Sequence, residues 1–247
     1  MSTISAEGRC DLKGLFVTGT DTGVGKTLVA AGLLRAMRNT GMDVLPCKPV
    51  QTGCTFEYGN LLPPDLELCL KSSDLHPSKE IEKLMCPFRY RPACSPHLAG
   101  RMAGKSPTIA SIADSLNKLS DGCEYVIVEG AGGVMVPLNN EETMLDLMTG
   151  LGLPVLLVAR AGLGTINHSL LSILALESRN VQPAGIVMNM LREKTSYITD
   201  DNSKTVERFS GVPVLSVLPS LPGDNPEETP VFRRAMERLA GLILEEM

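Results

Sequence analysis

The stretch Leu15-Phe16-Val17-Thr18-Gly19-Thr20-Asp21-Thr22-Gly23-Val24-Gly25-Lys26-Thr27 constrains this 247-residue chain more than any other. Leu15 to Val17 read as a short buried strand, three glycines follow within seven positions, and Lys26 to Met37 carries apolar residues at helical spacing. Strand, glycine-rich loop and helix in that order make a cradle for phosphate. The glycines let backbone N–H groups turn inward, Lys26 adds a point charge, the helix N-terminus adds its dipole, and the Thr27 hydroxyl suits Mg²⁺. The spacing departs from the usual pattern in one respect: the first glycine is Gly19 and position 20 is Thr20, so the loop is one residue longer.

The rest of the chain fits one large α/β domain. Hydrophobic residues make up 43% and charged residues 21%, enough apolar material for a substantial core. A net charge of −5 leaves no basic excess for a nucleic-acid partner. No apolar run approaches the roughly 20 residues of a membrane span, and the first eleven residues lack a signal-peptide apolar region, so a cytoplasmic protein without membrane attachment is expected. The seven cysteines are odd in number and never spaced C-x-x-C, which points to free thiols rather than disulfides or structural zinc.

Residues 1–13 read as a loose tail, with a single domain over 14–247. The first helix should end near Gly41, and Val44 to Val50 is the second strand, with Lys48 near its end. Gln51 to Arg101 is rich in proline and loop formers, with one short helical pattern from Asp65 to Leu70. Ser106-Pro107 should open a helix through about Leu119, and Tyr125 to Val128 is an apolar strand. Helices at Thr143 to Thr149, Asn167 to Arg179, Ser203 to Phe209 and Val231 to Glu246 then separate strands at Val155 to Ala159, Ala184 to Met188 and Val214 to Leu218. This alternation predicts a mostly parallel sheet with helices on both faces.

Ligands bind at the C-terminal edge of such a sheet. Gly19 to Thr27, Lys48, Glu129, Gly162 to Asn167, Asn189 and Pro219 should therefore share one rim. Glu129 follows an apolar strand, where phosphate-loop proteins carry an acidic metal partner; capping of the next glycine turn is the alternative. Lys48 is suited to face the rim, and an exposed or salt-bridged lysine is the alternative. His97 and His168 stand alone in their neighbourhoods and read as structural hydrogen-bonding groups.

Five stretches in register resemble the dethiobiotin synthetase family. They are Gly19 to Thr27, Lys48-Pro49-Val50-Gln51-Thr52-Gly53, Ser95-Pro96-His97, Val128-Glu129-Gly130-Ala131-Gly132-Gly133 and Leu163-Gly164-Thr165-Ile166-Asn167-His168. The likeness runs from about Gly14 to Glu227 and implies a phosphate-loop (P-loop) NTPase fold. It also implies ATP- and Mg²⁺-dependent closure of a cyclic urea from 7,8-diaminopelargonate and CO₂. By this resemblance Lys26 and Lys48 are catalytic, Thr27, Asp65 and Glu129 address Mg²⁺, and Thr52 and Asn167 meet the substrate. Thr52 stands where the family has serine. Nucleotide contacts are implied for Gly23, Val24, Gly25, Lys26, Thr27 and Leu28, for Asp65, for Glu129, Gly130, Ala131 and Gly132, and for Asn189, Pro219, Ser220, Leu221 and Glu227. The resemblance further implies a homodimer in which Gly162 to Asn167 of one subunit holds the substrate carboxylate of the other.

Three rivals share the loop: a nucleotide-switched partition or metal-delivery ATPase, a non-enzymatic nucleotide-binding regulatory domain, and a cobyrinate-type amide ligase. The first normally carries a second lysine where this chain has Asp21. The second has no need of Lys48 or the Ser95-Pro96-His97 loop. The third is expected with a glutaminase domain, which 247 residues do not accommodate.

Overall fold

The computed structural model describes residues 12–57, 59–190, 197–220 and 226–245. From the N-terminus come β1 (Gly14–Gly19), α1 (Lys26–Asn39) and β2 (Val44–Cys47). The next stretch holds β3 (Val50–Gln51), β4 (Thr55–Glu57), β5 (Asn60–Leu62), α2 (Pro64–Ser72), α3 (Lys79–Met85), β6 (Phe88–Arg89) and α4 (Pro96–Met102). Then follow α5 (Ile109–Ser120), β7 (Tyr125–Glu129), α6 (Met144–Leu151), β8 (Val155–Arg160), α7 (Thr165–Glu177), β9 (Pro183–Asn189), α8 (Tyr197–Ser210), β10 (Val214–Leu218) and α9 (Pro230–Glu245).

Six strands form one sheet in the order β10-β9-β8-β1-β7-β2, with every neighbouring pair parallel. Burial on both faces follows from the strand sequences. In β1, Leu15 and Val17 join the cluster formed with α1 and α9, whereas Phe16 joins the opposite cluster beneath α5, α6 and α7. The same period of two sends Tyr125 and Ile127 of β7 to the first face and Val126 and Val128 to the second. Each such buried side chain contributes about 1.5–3 kcal/mol relative to exposure. The single-domain α/β architecture expected from alternation is therefore what the chain forms.

Several element limits differ from the sequence reading. The second strand stops at Cys47, because Lys48 N donates to Met85 O (2.8 Å) and Pro49 has no N–H, so Val50–Gln51 pairs with β6 in a separate small sheet. The stretch 51–101, read as irregular apart from one helical pattern, also contains α3, α4 and the β4–β5 hairpin. These helices are seven residues long, too short to display periodicity. Helix α5 begins after Thr108, not at Ser106-Pro107, since the Thr108 hydroxyl accepts from Ser111 N and takes the N-cap. Helix α7 starts at Thr165, two residues before the expected Asn167, and α8 is described from Tyr197, well before Ser203. Residues 1–11 of the expected tail lie outside the described residues.

Candidate active site

The rim of the sheet is built outward from the end of β1. Thr20 N still donates to Val158 O at 2.9 Å, so strand pairing absorbs the extra loop residue. Gly19 is required by close approach: a Cβ there would lie 2.8 Å from Val24 Cγ2 and 3.1 Å from Lys26 Cδ. Gly25 caps α1 at φ 99°, in the left-handed region that side chains disfavour. Lys26 Nζ folds back to donate to Asp21 O at 2.8 Å. Asp21 in turn accepts from Thr22 N (2.7 Å) and pairs with Arg160 (3.3 Å), which ends β8. From beneath, the buried Asn189 at the end of β9 donates its amide to Val24 O at 3.1 Å.

Beside the loop, four side chains converge from α1, α2, β7 and the end of β2. Lys48 Nζ donates to Glu129 Oε1 (2.7 Å) and Gly130 O (3.1 Å), and pairs with Asp65 Oδ2 (2.8 Å). Thr27 Oγ1 donates to the same Glu129 Oε1 at 2.9 Å. The Lys48 and Glu129 side chains are 5% and 4% exposed. Burial alone would depress Lys48, but the two carboxylates outweigh it and hold the ammonium above the usual lysine value. Burial likewise opposes ionisation of Asp65, yet Lys48, together with Gln51 and Thr27, keeps it below the ordinary aspartate value. Glu129 is pushed up by burial, with Lys48 pulling the other way. Lys26 falls to about 8 through burial and repulsion by Lys48, which outweigh the pull of Glu129, Asp65 and Asp21.

Burying a lysine against two carboxylates gives little net stability, because desolvation offsets the attraction. The arrangement makes sense as chemistry. Glu129 Oε2 is buried with no hydrogen-bond partner, and the Thr27 hydroxyl and the Asp65 and Glu129 carboxylates are hard oxygen donors, which fits Mg²⁺. No group of three His, Cys, Asp or Glu converges among the described residues, so a cation here would complete its shell with phosphate and water oxygens.

A cleft of about 730 Å³ opens over these groups, lined by Gly23, Gly25, Lys26, Thr27, Lys48, Thr52, Asp65, Glu129, Ala131 and Gly132. Most of the sequence-predicted residues are thus brought together. Others are not. Leu28 packs its side chain on the core under α1, and Asn189 sits beneath the loop. Glu227 is buried in a separate groove of about 130 Å³ between α1 and α9, beside Arg35 and Arg233. Asn167 is exposed on the first turn of α7, which is capped by Gly164 at φ 88° and has no side-chain cap. Pro219 and Ser220 follow β10, and Leu221 lies outside the described residues. Sequence reasoning assigned nothing to Arg160, to the buried Asn202, whose amide donates to Ala161 O and Gly162 O, or to Gln51, whose side chain reaches Asp65 N. Gln51 enters the sequence reading only as a member of the stretch Lys48 to Gly53, without a role of its own, because its partner is fourteen residues away.

A family model described as an AAA domain matches residues 13–228. Among curated relatives, an ATP-dependent dethiobiotin synthetase BioD of Anaeromyxobacter dehalogenans is 41% identical over 84% of this chain and 90% of that protein. The protein of the same name from Halalkalibacterium halodurans is 34% identical over 85% of this chain and 86% of its own length. Among solved structures, the Pyrococcus furiosus cell division ATPase MinD superposes with a TM-score of 0.61 at 18% identity, covering 95% of this chain and 99% of its own. A ParA family ATPase from Chlorobium tepidum gives a TM-score of 0.54 at 15% identity, with 92% of this chain and 91% of that one covered. At such identities these two show the shared fold alone.

Proposed function

The chain belongs to the ATP-dependent dethiobiotin synthetase family, ligases of biotin synthesis, and from that premise we propose that it closes the cyclic urea of dethiobiotin. One amine of 7,8-diaminopelargonate adds to CO₂ to give a carbamate. A carbamate oxygen attacks the γ-phosphorus of ATP, and ADP leaves. The second amine then attacks the carbonyl carbon, the ring closes, and phosphate leaves. The carbamate, the transferring phosphoryl group and the departing ADP are all anionic, so the reaction calls for cations held ready rather than for a strong base. The observation that carries the reading is the convergence of two buried lysines with Thr27, Asp65 and Glu129 on one cleft beside the phosphate loop.

In this reading the loop N–H groups and Lys26 hold the phosphates, and Lys48 faces carbamate and transferring phosphoryl oxygens. Thr27, Asp65 and Glu129 would hold Mg²⁺, which supplies charge neutralisation at the phosphates. Thr52 lies at the amine side of the cleft, its hydroxyl standing in for the family's serine. The exposed first turn of α7 offers N–H groups suited to a carboxylate, supplied to the neighbouring subunit of a homodimer. In support, Met135, Leu163, Leu171 and Leu174 are 59%, 91%, 57% and 60% exposed around α7, an apolar face of the kind a second copy covers. A cytoplasmic location accords with this small-molecule chemistry.

The direct test is phosphate release with the diamine, bicarbonate and MgATP, omitting each in turn. Release requiring all components is expected. Phosphate release at an unchanged rate without the diamine would make the chain a nucleotide switch instead.

A further inference from the structure

Helix α2 begins on Pro63-Pro64, and neither its N-cap nor its first turn supplies a side-chain cap. Pro64 has no N–H, so Asp65 carries the first free backbone donor of the helix. That donor is met from another element: Asp65 N donates to Gln51 Oε1 at 3.3 Å. Gln51 is 5% exposed, and its backbone is fixed by Tyr90 N, which donates to Gln51 O at 2.8 Å. Its Nε2 donates to Thr52 O at 3.1 Å, and the same side chain lies against the Asp65 carboxylate. One buried amide therefore touches the residue that faces the cation site and the residue that faces the amine side of the cleft.

We propose that Gln51 is a positioning residue whose amide holds Asp65 and Thr52 in register across the cleft, an inference that rests on the reading of Asp65 as a cation ligand. Gln51 also borders the cleft, but the role assigned to it is exerted through its neighbours. It acts by fixing the start of α2, so that the Asp65 carboxylate is delivered to Lys48 and the cation, and by tying the Thr52 carbonyl to the same amide. Groups that orient ligands in this way are worth about 10–100-fold in metal affinity.

The test is binding rather than turnover: free Mn²⁺ followed by electron paramagnetic resonance in titrations of the full chain with ATP and without diamine. Gln51→Met, close in volume but without the amide, should weaken Mn²⁺ binding by about tenfold. Because Gln51 acts through Asp65, the same substitution made in an Asp65→Asn chain should change Mn²⁺ affinity by less than about twofold, a non-additivity that general loosening of the fold would not produce. Should Gln51→Met unfold, Gln51→Asn keeps an amide drawn back by one methylene and should shift affinity in the same direction. Equal losses in the two backgrounds, or no loss in the wild-type background, would overturn the proposal. Mn²⁺ binding untouched by Asp65→Asn alone would remove Asp65 as a ligand and the proposal with it, an outcome distinct from failure of Gln51 alone.

Discussion

At the scale of single residues the informative group is Lys48, a buried cation between two carboxylates. Replacing it by glutamine leaves Glu129 and Asp65 facing each other without a counter-charge. Removing one partner from a buried charged cluster costs about 3–5 kcal/mol, so Lys48→Gln should melt lower in metal-free buffer and regain part of the loss on adding Mg²⁺. Under turnover conditions the proposed role predicts a different imbalance. The rate constant kcat should fall by about 10²–10³-fold, as when one donor to a developing anion is removed, whereas ATP affinity by calorimetry should move by no more than about threefold. Lost ATP binding as the main defect would make Lys48 a nucleotide anchor. The place of Lys26 on the cleft is legible in the sequence because it closes a glycine-rich loop at the head of α1. The pairing of Lys48 with both Asp65 and Glu129 was not, because it joins residues 17 and 81 positions apart whose meeting depends on where β2 stops.

Helices and strands were legible to the extent that their own side chains dictate them. The parallel strands β1, β7, β8 and β9 are largely apolar and buried on both faces, a pattern with few other solutions, whereas β10 at the sheet edge is only partly covered, with Val217 exposed. Helices α3 and α4 were missed because two turns carry no periodicity and are instead set by the Ser78 cap and by Pro96. The N-terminus of α5 was displaced for a related reason: Ser106-Pro107 and Thr108 both offer capping chemistry, and only the Thr108 hydroxyl meets a free N–H. The close packing of α1 on α9 was hidden as well. Gly32 sits in mid-helix, where glycine costs about 1 kcal/mol relative to alanine, so propensity alone predicts that Gly32→Ala stabilises. The structure predicts the reverse. A Cβ at Gly32 would lie 2.5 Å from Met236 Cγ and 2.7 Å from Phe232 Cε1, both in the core between the helices. Overpacking of this kind costs about 1–3 kcal/mol, so a net loss on denaturant titration is expected, and a raised unfolding midpoint would refute close packing there.

For the whole molecule the question is whether a site belongs to one chain. The rim gathers the phosphate loop, Lys48 and Glu129, but Asn167 stands exposed on α7 and does not line the 730 Å³ cleft. If the facing subunit supplies Asn167, a mixed dimer of Lys48→Gln and Asn167→Ala chains has one intact site and one doubly damaged site. Mixing the two impaired homodimers under conditions of subunit exchange should then restore activity to at most about a quarter of wild type, since half the dimers are mixed and half their sites intact. Sites confined to one chain would give no recovery. The strand order carries a consequence in time. Among the described strands β1 comes first in the sequence yet lies between β7 and β8, so both its partners are synthesised more than a hundred residues later. A nascent chain thus carries Leu15, Phe16 and Val17 as an unpaired apolar edge through much of its synthesis, the state in which strands adhere to wrong partners. The phosphate loop is translated well before β7 and β8, the strands that fix β1 in the sheet. ATP therefore has nothing complete to grip until the sheet closes around β1, and the nucleotide can act on folding only as a latch on the finished form.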